Sequence, residues 1–493
     1  MPATERPRGS VARRAFDEAR AVIDAFHPPS PATPPAFTFR PPTSVHAELP
    51  PDALATDTFR WPDDTIAAAS RRVASGQQRC RDLLEASLDA VVEHDPALVA
   101  LAELTAGTAR EAADALDEEL SRGHNRGPLH GIPITVKDVI DVAGVPTRAG
   151  SDAYFDVPVR DAESVARLRR AGAVVVGKAT THEFALGVTS PQSHNPHDAT
   201  RIPGGSSGGS AIAVSTGMCL GSLGTDTRAS IRVPAALSGT VGLKLTYGRI
   251  PTDGVVPLSW TMDHVAPMAR TVLDAAIMAD VLLGPGCAPL SAWAGVPIDG
   301  LRVGVPEDTL EGCEPSVASL VRAAVKVLEG AGCPVVASAR PNAGDLAAAN
   351  AAGLVVSRCE AATFHRSLGA DRSLYWEEVA EQLGEADRIL AIDYLDAQRL
   401  RAGLVEDLLA CFDEVDLLAM PTSPVVAPPR DDFARYLTVL SRNAIPWSLI
   451  GFPAVSVPCG MADPGLPVGI QLVARPGSEH LLVAAGVALQ TLL

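Results

Sequence analysis

Apolar residues near the start of the chain recur at helical spacing. In residues 10–26, "SVARRAFDEARAVIDAF", Val11, Ala15, Ala19, Val22 and Phe26 fall near one face, which predicts an amphipathic helix. The pattern then breaks. Residues 27–52, "HPPSPATPPAFTFRPPTSVHAELPPD", carry prolines too densely for a helix or a central strand and predict an extended arm or linker. Helical spacing resumes over 64–121, where "CRDLLEASLDAVVEHDPALVALAEL" is amphipathic. Short apolar runs follow. "GIPITVKDVIDVAG" (131–144) is β-rich and closes in a turn, and "AGAVVVGKATT" (171–181) reads as a buried strand and loop. "SAIAVSTGM" (210–218) is a short helix entered from glycines, and "CLGSLGTD" is the next strand. Farther on, "LRVGVPE", "CPVVAS", "VDLLAMPTSPVVAPP" and "PAVSVPCG…GLPVGIQLVA" predict strands, with long helices across 345–416. Strands alternating with helices imply an α/β/α sandwich with a central mixed sheet. The proline-rich break divides the chain into an N-terminal helix and arm (1–60) and one large domain (61–493).

Composition narrows the function. The chain has 493 residues, 47% of them hydrophobic, enough for one large core or two ordinary domains. Aromatics are only 4%, so Ala, Val and Leu must fill the core. The formal net charge of −17 repels phosphate backbones and anionic membranes, so neither partner is expected. The 8 cysteines are scattered without a CxxC pair, as expected of free thiols in a reducing cytoplasm. The N-terminus lacks the apolar run of a signal peptide, and no run of about 18 apolar residues predicts a membrane span.

The strongest local signal is "PGGSSGGSA" (203–211). As a phosphate loop it lacks the Gly-Lys-Ser/Thr that would follow. As a nucleophile elbow, Gly205-Ser206-Ser207-Gly208-Gly209 needs a strand just before it, but "SHNPHDATRIP" reads as loop, and His480 has no evident supporting acid. A plain glycine-rich turn is the bland reading. A fourth reading joins three segments: "GIPITVKDV" with Lys137, "GGSSGG" with Ser206, and "GTDTRASIR" with Ser230. Alone, Lys137 reads as a lysine snorkelling from a strand end. Flanked by Ile134, Val136 and Val139 it would be desolvated, its pKa lowered, and competent as a general base. A serine hydroxyl between it and a nucleophilic serine can donate and accept, and so relay a proton.

These segments resemble the amidase signature family. "LHGIPITVKDVIDVAG", "PGGSSGGSA", "LGTDT..SIRVPAA", "GLKLTYGRI", "DHVAPMARTV", "DLLAMPTSPVVAP" and "GFPAVSVPCG…GLPVGIQLVARP" are similar to its successive motifs, in order, over roughly residues 60–493. The resemblance implies amide-bond hydrolysis or transfer by a Ser–cis-Ser–Lys triad, without cofactor or metal, on a small-molecule amide. A homodimer stays open. Lys137 matches the base, Ser206 the bridging serine after a cis peptide bond, and Ser230 the nucleophile, 24 positions after Ser206. Backbone N–H groups of Thr227, Arg228, Ala229 and Ser230 match the oxyanion hole, and Gly204, Gly205 and Arg228 are assigned to substrate binding. Asp226 and Arg232 match positions that brace this loop.

The chain departs from the family at 228–229, where glycine, or a small polar residue and then glycine, is usual. Arg228 has three readings: its side chain turns into an ion pair, it binds an anionic substrate group in the acyl pocket, or it damages the oxyanion hole in a relative that only binds. Leu245 stands where proline is usual. The specificity elements are expected around 285–300 and 340–435. "HNPH" (194–197) is expected to be ordinary loop, and His264 architectural. Residues 16–41, "FDEARAVIDAFHPPSPATPPAFTFRP", are similar to the tail of the small subunit that accompanies 1-carboxybiuret hydrolase, which implies a fused surface belt.

Overall fold

A computed structural model describes residues 11–25, 64–338 and 340–493. Its centre is one mixed sheet of 11 strands among the described residues. In chain order these are β1 (Leu101–Leu104), β2 (Pro133–Lys137), β3 (Val174–Ala179), β4 (Gly221–Asp226), β5 (Val241–Lys244) and β6 (His264–Ala269). They are followed by β7 (Val303–Pro306), β8 (Val335–Ser338), β9 (Leu417–Pro421), β10 (Ala454–Ala462) and β11 (Leu466–Ala474). Their spatial order is β1-β3-β2-β4-β6-β5-β10-β11-β9-β7-β8. β2 lies parallel to β3 and to β4, and β7 parallel to β8 and β9; the remaining pairs are antiparallel. Helices cover the sheet, as the α/β alternation anticipates.

The parallel strands are the ones most visible in the pattern. β2, β3 and β4 are buried at every position, which is why they read as continuous apolar or small-residue runs rather than alternating ones. β1, β5 and β6 escape a reading of the pattern. β6, "HVAPMA", contains Pro267, which normally argues against a central strand. Here it is tolerated because β5 pairs with β6 only at Met268 and Ala269, so the missing N–H falls where no ladder bond is needed on that side.

The helices, in chain order, begin with α1 (Val11–Asp24), α2 (Ile66–Ala74), α3 (Cys80–Leu98), α4 (Ala106–Ser121) and α5 (Glu163–Arg170). Next come α6 (Gly208–Ser215), α7 (Arg232–Ser238), α8 (Val272–Leu283) and α9 (Pro315–Gly330). Last are α10 (Ala343–Leu368), α11 (Glu377–Ala386), α12 (Ala391–Ala410), α13 (Ile445–Leu449) and α14 (Glu479–Leu492). A second apolar cluster around Trp447 and Phe452 joins α10 and α12 to the sheet and takes in Ala19 and Ile23 of α1. No helix among the described residues is long and apolar enough to cross a membrane.

α1 has the extent expected, but of the expected face only Ala19 is buried among the described residues. Phe16, Ala19 and Ile23 are buried, whereas Val11 is exposed. The stripe through Val11, Ala15 and Val22 borders a cavity instead. Phe26, the proline-rich stretch 27–52 and the division at residue 60 lie outside the described residues.

α10 is the longest helix among the described residues and faces that cavity. Its start is set by a capping box: Asp345 N–H donates to Asn342 Oδ1 at 3.0 Å, and Asn342 N–H donates to Asp345 Oδ2 at 2.9 Å. Asn342→Ala is expected to cost about 0.5–2 kcal/mol of stability, read as a lower midpoint in chemical denaturation. An unchanged midpoint would show that tertiary packing alone sets this helix start.

Candidate active site

Because β2 and β4 are parallel neighbours, their carboxyl ends emerge on the same edge of the sheet. That edge is where open α/β sheets gather ligand-binding loops. Lys137 is the last residue of β2, and Thr225 and Asp226 close β4. The Lys137 side chain is fully buried. Its Nζ donates to Ser206 Oγ at 2.8 Å and to Thr225 Oγ1 at 2.8 Å. Both partners are neutral hydroxyls. Burial therefore dominates and pushes the Lys137 ammonium down to about 7, against the opposing fields of Asp263 and Asp226.

Ser206 lies just ahead of α6, and the Gly205–Ser206 peptide is cis. The Ser206 carbonyl accepts from His182 N–H at 3.2 Å and from Ser190 Oγ at 3.1 Å. Next to it, Ser207 N–H donates to the Ser230 carbonyl at 3.2 Å, which seats the loop after β4 against the glycine-rich loop. Ser207 Oγ donates to the Thr225 carbonyl at 3.2 Å. The Ser230 hydroxyl makes no hydrogen bond among the described residues. Thus Lys137 and Ser206 are in direct contact, and Ser230 lies beside them.

The loop of Ser230 is suspended from Asp226. Ala229 N–H donates to Asp226 Oδ1 at 2.9 Å and Ile231 N–H to Oδ2 at 3.3 Å. Arg232, fully buried, grips the same carboxylate through Nε at 2.9 Å and a terminal nitrogen at 3.0 Å, and Ser448 Oγ donates to it at 2.7 Å. Burial alone would raise the Asp226 carboxyl, but the charge and hydrogen bonds of Arg232 hold it well below the usual carboxylate range. Asp226 and Arg232 thus brace the loop. The Ala229 N–H, one of those expected in an oxyanion hole, donates to Asp226 in this structure. The N–H groups of Thr227, Arg228 and Ser230 form no hydrogen bond among the described residues. Ala229 takes a φ of 89°, a conformation that a residue with a Cβ adopts at a cost of about 1–2 kcal/mol.

Asp263 is a site residue that sequence reasoning passed over. Thr227 Oγ1 donates to its carboxylate at 2.5 Å, and the Leu258 and Ser259 N–H groups donate at 2.9 and 3.0 Å. Burial pushes Asp263 up to about 7. Its signal was a lone acid in the apolar run "MDHVAPM".

Gly204 and Gly205 do not line the cavity. A Cβ at Gly204 would lie 2.9 Å from Pro234 Cα, and one at Gly205 only 2.4 Å from the Thr189 carbonyl carbon, so both are glycine because backbones approach there. Arg228 does line it. The ion-pair reading of Arg228 is not met: among the described residues its side chain has neither ion pair nor hydrogen bond, and its Nε is buried without a partner. It borders a cavity of about 330 Å³ walled by α1, residues 186–188, α10, α11 and residues 437–445. Residues 285–300 contribute nothing to that wall, while α1 and 186–188 were not anticipated. The other candidates have local roles. His480 packs on Trp293, with ring centroids 4.4 Å apart. His194 Nδ1 and His197 Nε2 lie 2.8 and 3.1 Å from the carbonyls of Ala199 and Ser238, and His264 Nδ1 lies 2.7 Å from that of Met262.

Arg232→Met leaves the Asp226 carboxylate buried without its cation. The expected loss is about 3–5 kcal/mol of stability by urea denaturation. A loss below about 1 kcal/mol would show that this pair contributes no more than a surface ion pair.

The chain as a whole is similar to known proteins. The amidase family model matches residues 82–483. A glutamyl-tRNA(Gln) amidotransferase subunit of Chloroflexus aurantiacus is 38% identical over 474 residues, covering 87% of this chain and 96% of that protein. A crystal structure of an amidase aligns with a TM-score of 0.79 at 35% identity, over 86% of this chain and 99% of that one. The native peptide amidase of Stenotrophomonas maltophilia aligns with a TM-score of 0.76 at 31% identity, over 86% and 96%. The family match over most of the length, on a mixed sheet of the same architecture, means that this chain belongs to the amidase signature family of amide hydrolases and transamidases.

Proposed function

We propose that the chain is a cytoplasmic amide hydrolase that works through an acyl-enzyme on Ser230, with Ser206 as proton relay and Lys137 as base. The observation that carries this reading is a buried lysine, held near neutral pKa, with its Nζ 2.8 Å from Ser206 Oγ. Ser230 Oγ attacks the carboxamide carbon, and its proton passes through Ser206 to neutral Lys137. The oxyanion that forms faces the free N–H groups of the 227–230 loop. Collapse breaks the C–N bond, and the proton returns through Ser206 to the departing amine. Water then attacks the ester by the same proton path and releases the acid. Arg228 is read as a substrate-binding residue that favours an amide bearing an anionic group. The likeness to an amidotransferase supports a second reading, in which an amine rather than water intercepts the same acyl-enzyme.

A fluorophosphonate is expected to label Ser230 alone, seen by peptide mapping, and Ser206→Ala is expected to slow turnover strongly while substrate still binds. An adduct on Ser207 would overturn the assignment.

The base works only when neutral. Because burial lowers the Lys137 pKa to about 7, kcat/KM should rise as pH climbs through about 7 and level off above it. Lys137→Met should keep the fold by circular dichroism and lose the rate. A variant with near-normal activity and the same pH profile would exclude lysine as the base.

A further inference from the structure

The cavity beside Arg228 is assembled from segments far apart in the chain, and most of its wall is apolar. Two guanidinium groups are its cations. Arg228 runs toward α10, where its Nε lies 4.0 Å from the point a Cβ on Gly353 would occupy. Arg358, only 6% exposed, projects from the same helix. It shares the cavity-facing stripe of α10 with Ala347, Ala351 and Leu354. Its donors reach neutral acceptors: Gln382 Oε1 at 2.8 Å, Ser357 Oγ at 3.3 Å and the Leu186 carbonyl at 3.3 Å. Neither arginine has an ion pair among the described residues. The two are close enough for the charge of Arg228 to reinforce the effect of burial, which pushes Arg358 down to about 9.

Three acids border the same cavity. Glu378 is partly buried and its Oε1 lies 3.5 Å from His182 Nε2; Glu18 and Glu381 are exposed. The cavity therefore holds two buried cations without a direct ion pair among the described residues, with the charge of Glu378 acting on Arg358 from farther off. Burying one unpaired charge is costly, and placing a second beside it costs more. An anion between them would offset these penalties, and guanidinium forks match a carboxylate in geometry. Arg228 is two residues from Ser230 in the same loop, although Lys137, Ser206 and Ser230 do not themselves line the cavity.

We propose that Arg228 and Arg358 together form a carboxylate seat for the acyl part of the substrate, so that the preferred substrates are compact half-amides of dicarboxylic acids. This rests on the acyl-enzyme reading and specifies its substrate. A cavity of about 330 Å³ lies at the small end of ligand sites, which suits such a molecule. The α1 residues Ala12 and Ala15 bring small apolar side chains to the wall.

The test compares succinamate with butyramide, which has the same chain length but no carboxylate. Wild type should prefer succinamate in kcat/KM. Arg228→Met and Arg358→Met should each reduce that preference by about tenfold to a hundredfold, mostly through KM, as expected when a charge-assisted bond is lost. Calorimetry on Ser230→Ala reads the seat without turnover: succinamate should bind, and adding Arg358→Met should abolish the binding. Circular dichroism checks folding. If Arg358→Met misfolds, Arg358→Lys, which keeps the charge but loses the fork, should raise KM for succinamate more than for butyramide. A preference unchanged in the folded variants, with both amides turned over, overturns the seat and leaves the acyl-enzyme reading intact. Arginine-dependent binding of succinamate with no turnover of either amide overturns the acyl-enzyme reading and leaves the seat intact. Absence of succinamate binding to Ser230→Ala overturns the seat.

Discussion

One buried carboxylate carries the loop on which the site is built. Asp226 accepts from two backbone N–H groups of that loop, from Ser448 and from both sides of the Arg232 fork. Arg232 in turn donates to Gln471 at 2.6 Å, so β11 is tied to the same knot. With its acceptor sites filled, Asp226 stays ionised although water is excluded, and the ionised form is what orients the N–H groups around it. Ala229 is held at a φ of 89° within this frame. Strain of that kind persists where the surroundings over-determine the backbone.

The buried lysines show how partner chemistry sets charge in one core. Lys178 lies 3.1 Å from Asp138 in a fully enclosed ion pair, where a carboxylate opposes the cost of burial. Lys244 donates to the Phe452 carbonyl and is pushed far down by burial and by the neighbouring Arg232. Lys137 meets hydroxyls only, with the acids Asp263 and Asp226 acting from farther off. The result is a lysine poised near neutrality and linked by hydrogen bond to a serine that can pass a proton.

Beyond this frame, the cavity has a different origin. It is bounded by α10, α11 and α1, elements that belong to the helical cover rather than to the sheet edge. The two layers have different tasks in the proposed enzyme. The sheet edge with its ion pair fixes the reacting groups, while the helical cover presents Arg358 and sets what fits. Arg228 belongs to both, with its backbone in the braced loop and its side chain on the cavity.

Much of this was legible in the sequence. Strands buried on both faces announce themselves as unbroken apolar runs, so β2, β3, β9 and β11 were readable. The apolar flanks of Lys137 foretold desolvation, because strand neighbours are local. The spacing of Ser206 and Ser230 within matching motifs pointed to the same site. β6 was not legible, since its proline is acceptable only by virtue of where β5 stops pairing. Nor was the orientation of α1, whose apolar residues serve two surfaces, one packed and one open to the cavity, while periodicity counts only one. Nor was the hydrogen bond from the Ala229 N–H to Asp226, because such a bond is a matter of angles and distances. Sequence determined which residue types could carry the chemistry, since that depends on composition and near neighbours. Only the tertiary structure decided that Arg228 finds no counter-ion among the described residues and that Arg358, 130 positions later, faces the same cavity, because contacts between distant segments are set by how helices pack on the sheet.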